Sequence, residues 1–145
     1  MKYLLAILIL ACALPADARG RRRGYYESSS SAPAVAANIP IRCMDGLPLV
    51  NWFRERLGLK PFKFDPKLQV NATAQAIRMA RGGFVGHDGC QLGDVSSNGA
   101  EGVGGATAGE PGTWQSCCWQ DSWTYAAATY IDVGEYRYCA IHVRN

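Results

Sequence analysis

Near the C-terminal end, two alternating runs, residues 127–133 and 137–143, are rich in Tyr and Val and meet at Gly134-Glu135. Period-two alternation joined through a short glycine turn is the pattern of an antiparallel hairpin. A lone hairpin does not hold in water, so other elements must cover it. Helical patterns precede it. Between Gly46 and Leu57, the residues Leu47, Val50, Phe53 (or Arg54) and Leu57 recur on one helical face, and Gly58 ends the run. After a short extended connection over residues 59–64, Asp65-Pro66 supplies an N-cap followed by proline at the first helical position. Leu68, Ala72, Ala76 and Met79 then form an alanine-rich stripe that lets another layer approach closely, and Gly82-Gly83 stops the helix near Arg81. Helices laid on an antiparallel sheet predict an α+β domain.

Between the helices and the hairpin, residues 86–90 and 93–112 are glycine-rich and read as a long loop, in which only residues 100–103 promise an ordered strand or turn. Thr113 can cap a short third helix from Trp114 to about Ser122, with Trp114, Cys117, Cys118 and Trp123 toward the interior. No internal repeat is present.

The N-terminus predicts export. Lys2, an apolar run over residues 3–14 and the small-residue pattern Ala16-Asp17-Ala18 make a cleavable secretory signal over residues 1–18. The run is shorter than the roughly 20 residues of a spanning helix, and no later segment is apolar enough to be one. A rival reading is a lipoprotein signal, in which Cys12 after Ile9-Leu10-Ala11 is acylated and tethers the protein. Residues 19–37, with Arg19, Arg21, Arg22 and Arg23, a serine run and an Ala/Pro stretch, bury too little apolar surface to order and read as a linker. The folded domain is expected over residues 38–145, in a secreted or periplasmic protein. Loss of Lys2 and Asp17 with the signal leaves 14 basic and 11 acidic residues and a formal charge of +3, too mild to imply a nucleic-acid partner.

Export also decides how the cysteines read. Cys43, Cys90, Cys117, Cys118 and Cys139 remain after cleavage, in a compartment where disulfides persist. Two bridges and one leftover thiol is the simplest arrangement, with Cys117 and Cys118 paired elsewhere, one each, because neighbours meet disulfide geometry poorly. A zinc site is disfavoured, since no C-x-x-C pair or spaced histidine accompanies these cysteines.

His87 and His142 are the only histidines. His87 sits in a glycine-flanked loop after the second helix and Glu101 in another glycine-flanked stretch; such a pair can share a proton or help to hold a divalent metal. The plainer reading is that His87 hydrogen-bonds to fix its loop. His142, alternating with Ile141 and Val143, reads as a surface strand residue. Ser116 and Ser122 lack a nucleophile elbow, and Gly102-Val103-Gly104-Gly105 has no Lys-Ser or Lys-Thr of a phosphate loop behind it.

The order of these features resembles the CAP superfamily of cysteine-rich secretory, antigen and pathogenesis-related proteins, in its short bacterial form. The resemblance runs from residue 47 to 144, through Leu59-Lys60-Pro61, Asp65-Pro66-Lys67-Leu68, the alanine-rich helix, Gly86-His87, Ala100-Glu101-Gly102-Val103-Gly104 and Trp114 to Trp119 before the hairpin. Ala100-Glu101-Gly102-Val103 is similar to the family's Glu-Asn segment with glycine in place of the Asn. The resemblance implies an α-β-α sandwich around a cleft in which two histidines and two acidic residues can bind a divalent metal. His87 matches the first histidine and Glu101 the glutamate. Where the second histidine belongs stands Ser116-Cys117-Cys118-Trp119-Gln120, and no second acidic residue is evident. The expectation is a degenerate cleft without a cofactor, in a non-enzymatic module that binds an extracellular lipid, sterol, peptide or cell-wall component near His87 and Glu101. The alternatives are a small exported hydrolase using His87 with Glu101 or a free thiol of Cys117 or Cys118, and a disulfide-stabilised structural module.

Overall fold

The computed structural model describes residues 32–87, 98–109 and 112–145. The signal segment, Cys12, Cys90 and most of the linker lie outside them. The element order is β1 (Met44–Asp45), α1 (Leu47–Arg56), β2 (Lys63–Phe64), α2 (Pro66–Gly82), β3 (Gly99–Thr107), β4 (Tyr125–Val133) and β5 (Tyr136–Arg144). The sheet runs β1-β4-β5-β3, antiparallel along that path, and β2 adds to the start of β4 in parallel.

The hairpin forms as the alternation predicts, with Gly134 at φ 61 in the two-residue turn, a conformation that costs glycine little. The second helix also forms as predicted. Asp65 Oδ1 accepts from Lys67 N at 2.9 Å, and Gly83 closes the helix at φ 63 with its N–H on Met79 O. Leu68, Ala72, Ala76 and Met79 are all buried.

Successive residues of β5 pack into different layers. Tyr138 and Ala140 meet Ala76, Met79 and Ala80 of α2 on one face. Cys139, Ile141 and Val143 meet Leu47 and Val50 of α1, with Phe62 and Trp114, on the other. Helical or irregular chain thus covers both faces, the α-β-α layering expected of an α+β domain.

Several expectations need correction. No third helix forms over residues 114–122. Cys118 takes φ 69, the left-handed region, which a helix cannot absorb, and the segment runs as bends and a turn. Of the four side chains expected inward there, Trp114 alone is fully buried, and Cys117 is exposed. Two buried arginines hold the segment by its carbonyls. Arg137 donates to Thr113 O at 3.2 Å, and Arg54 donates to Trp119 O and, at 3.0 Å, to Asp121 O. Arg54, not Leu57, completes the buried face of α1, and Leu57 is exposed.

The glycine-rich stretch expected as a loop contains the nine-residue strand β3. Glycine favours a loop locally, but pairing with β5 along the whole strand overrides that preference. Its glycines admit close neighbours: a Cβ on Gly104 would lie 1.8 Å from Gln115 O, and one on Gly102 would lie 2.0 Å from Cys117 O. The 112–124 segment therefore lies directly on the strand.

Packing also begins before the expected boundary at residue 38. Tyr138 donates its hydroxyl to Pro33 O at 2.7 Å, and Val35 N donates to Ala80 O at 2.8 Å. The described cysteines, Cys43, Cys117, Cys118 and Cys139, are free thiols. A Cys43–Cys139 bridge is excluded by topology. β4 lies between them, with Tyr130 facing both Met44 and Cys139, a separation of roughly two strand spacings of about 4.8 Å each.

Candidate functional site

The site is built on β3, at the end of the sheet order. Glu101 lies directly opposite His142 of β5 in the antiparallel register. Its side chain shares a face with Val103, which packs among the α2 cluster, so the carboxylate is directed into the layer beneath that helix. His142 Nε2 donates to Glu101 Oε2 at 2.8 Å, and both side chains are almost completely buried.

The expectation that His142 is a surface residue is therefore corrected: its exposure is 0%. Alternation identifies a surface residue only when one sheet face meets water, and here both faces are covered. The signal in the sequence was that Ile141, His142 and Val143 belong to a strand with no exposed face.

The second helix brings the other histidine to the same carboxylate. After Gly83 ends α2, the chain turns back along it. Gln75, itself buried within the helix, donates its amide to Gly86 O at 2.6 Å, one residue before His87. Arg78 donates to Gln75 Oε1 and so orients that amide. His87 Nδ1 then donates to Glu101 Oε1 at 2.9 Å. The His87 side chain remains 51% exposed, while the Glu101 side chain beneath it is 2% exposed.

His87 and Glu101 thus meet as the sequence reading required, with a histidine added that it had placed elsewhere. Gln75 was also missed. Its only signal was a polar residue on the apolar side of the helix.

With both oxygens of Glu101 accepting from ring N–H groups, the neutral tautomers are Nδ1–H for His87 and Nε2–H for His142. Nε2 of His87 is then a lone-pair acceptor on a half-exposed ring. Nδ1 of His142 is buried and makes no hydrogen bond among the described residues. Glu101 accepts from both histidines, and among the described residues no group of three or more His, Cys, Asp or Glu side chains is disposed to hold a metal ion.

The main chain of Glu101 forms a second junction. Cys118 Sγ lies 3.5 Å and Cys117 Sγ 3.9 Å from Glu101 O, so both thiols reach one carbonyl. The contact with Cys118, opposed by burial and helped by a backbone hydrogen bond from Val103, holds the Cys117 thiol down to about 5. That same contact, together with burial, pushes Cys118 upward, so it keeps its proton. Cys139 is raised to about 12 by burial.

Among the described residues no helix is long and apolar enough to cross a membrane. The family model described as the cysteine-rich secretory protein family, CAP, matches residues 47–145, the region that carries both helices, strands β2 to β5 and the Glu101 junction. No curated protein and no solved structure gives a significant match.

Proposed function

The chain belongs to the cysteine-rich secretory protein (CAP) family, and from that premise we propose that it is an exported, non-enzymatic binding module that takes its ligand at the surface formed by His87 over Glu101. The observation that carries this reading is the division of labour at Glu101. Its carboxylate is buried and accepts from both histidines, so it orients side chains and presents no base to solvent. Only His87 reaches the surface, fixed from behind at Nδ1 and offering Nε2 as a positioned acceptor. A rigid, half-exposed polar group of this kind orients a ligand at little entropic cost. An extracellular lipid, peptide or cell-wall component is the class of ligand that fits the proposed location.

One observation favours a second reading. A carboxylate that holds the Nδ1–H of a histidine leaves Nε2 basic, the orientation used in general-base catalysis. On that reading the protein is a small hydrolase with His87 as base.

Co-sedimentation of the full chain with purified peptidoglycan sacculi and with phosphatidylglycerol vesicles separates the two, read beside ester hydrolysis of p-nitrophenyl acetate. The binding reading expects saturable sedimentation with one of the probes, weakened about tenfold or more in His87→Ala, and no hydrolysis above buffer. Hydrolysis that vanishes in His87→Ala while sedimentation is unchanged would overturn it.

A further inference from the structure

Consecutive residues of an extended chain direct their side chains to opposite sides, so two adjacent cysteines do not ordinarily converge. Cys117 and Cys118 do. Cys118 is the only non-glycine residue at positive φ among the described residues, at 69°, a conformation that a residue with a Cβ rarely adopts. Both sulfurs lie near the same atom, Glu101 O, at 3.9 and 3.5 Å.

The strand beneath is shaped for this turn. Any Cβ at Gly102 would stand 2.0 Å from Cys117 O, so glycine there is what lets the Cys-Cys turn sit on β3. Cys117 is exposed and Cys118 half-buried, which gives a small reagent access to the pair.

We propose that Cys117 and Cys118 form a vicinal dithiol that a hydroperoxide oxidises reversibly to a Cys117–Cys118 disulfide, a redox activity separate from ligand binding at His87. The Cys117 sulfur attacks the peroxide, the O–O bond breaks, and Cys117 becomes a sulfenic acid as hydroxide or alkoxide leaves and takes a proton from solvent. Cys118 then attacks that sulfur. The S–O bond breaks, the departing oxygen leaves as water with the Cys118 proton, and the disulfide closes. Two thiols have lost two electrons and two protons, and the peroxide has become two waters, or one water and an alcohol. A low-molecular-weight dithiol returns the pair to its reduced form.

The roles follow from the environment. Cys117, the exposed member of the pair and the one its neighbour holds low, is the thiolate that attacks, and the half-buried Cys118 is the resolving thiol. Reversibility follows from spacing. Neighbouring Cα atoms stand about 3.8 Å apart across a trans peptide, closer than the roughly 4.4–6.8 Å of relaxed disulfides, so the ring is strained and readily reduced.

The test treats the full chain with equimolar hydrogen peroxide, alkylates free thiols, and cleaves with chymotrypsin after Trp114 and Trp119 to isolate peptide 115–119, which carries both cysteines. The expected product is that peptide lighter by two hydrogens and unalkylated, restored by dithiothreitol. In Cys118→Ser, a Cys117 sulfenic acid accumulates instead and is trapped by dimedone. Between pH 8 and 6, iodoacetamide labelling of Cys117 relative to Cys43 rises about tenfold per unit, because only Cys43 loses its thiolate. Peptide 115–119 found unoxidised, cross-linked to Cys43, Cys90 or Cys139, or carrying irreversible sulfinic acid equally in both proteins overturns the proposal.

Discussion

Glu101 and His142 face each other across the β3–β5 ladder, with Nε2 2.8 Å from Oε2 and neither side chain reaching solvent. A pair of this kind adds little net stability when intact, because desolvation offsets attraction, but breaking it strands a buried polar group. Glu101→Ala removes the acceptor of both histidines and is expected to cost about 3–5 kcal/mol in urea unfolding. Glu101→Gln keeps a carbonyl for one ring and is expected to cost about 1–3 kcal/mol. Equal losses for the two substitutions would mean that packing, not hydrogen bonding, accounts for the effect.

Arg54 is 2% exposed, donates to Lys60 O at 2.7 Å and to the carbonyls of Trp119 and Asp121, and stacks 3.6 Å over the Phe62 ring. Its fork spans acceptors that a single ammonium cannot reach together. Arg54→Lys is therefore expected to destabilise by about 1.5–3 kcal/mol and to speed amide exchange over residues 119–121, measured by hydrogen exchange. Exchange rates unchanged in that segment would contradict the clamp.

Gly102 and Gly86 make a matched pair of alanine substitutions. A Cβ at Gly102 meets Cys117 backbone at 2.0 Å, whereas one at Gly86 meets only the Phe84 ring at 3.6 Å, an ordinary contact. Gly102→Ala is expected to cost about 1–3 kcal/mol by overpacking, and Gly86→Ala to stay within about 0.5 kcal/mol. Thermal melts of the two variants compare them directly. A Gly102→Ala protein as stable as wild type would mean that residues 115–118 do not rest on β3.

Cys117 links stability to pH. Its folded value, about 5, lies below the ordinary thiol value of 9.0 that the unfolded chain retains. A depressed value stabilises the fold fully above the unfolded value, and that contribution drains away as pH falls toward the folded one. The stability advantage of wild type over Cys117→Ser should accordingly shrink from pH 9 to pH 5, measured by urea midpoints at several pH values. An advantage that grows on acidification would reverse the assignment of the attacking thiol.

The local code of the chain determined the second helix and the hairpin. Asp65-Pro66, the stripe Leu68, Ala72, Ala76 and Met79, and the glycine at 134 act within a turn or two of themselves, where capping, periodicity and φ preference decide the outcome. The order of short motifs identified His87 and Glu101 as partners and pointed to the family that the match over residues 47–145 establishes. Three features depended on contacts distant in sequence. β3 is a strand because β5 pairs with it, against the loop preference of its own glycines. His142 turns inward because α2 covers a face that alternation alone would leave to water. The Cys117–Cys118 turn forms where a third helix was expected because the bare backbone of Gly102 and Gly104 and the buried guanidinium of Arg54 draw the segment down onto the sheet. Propensity is a property of neighbours in sequence, and these positions are governed by neighbours in space.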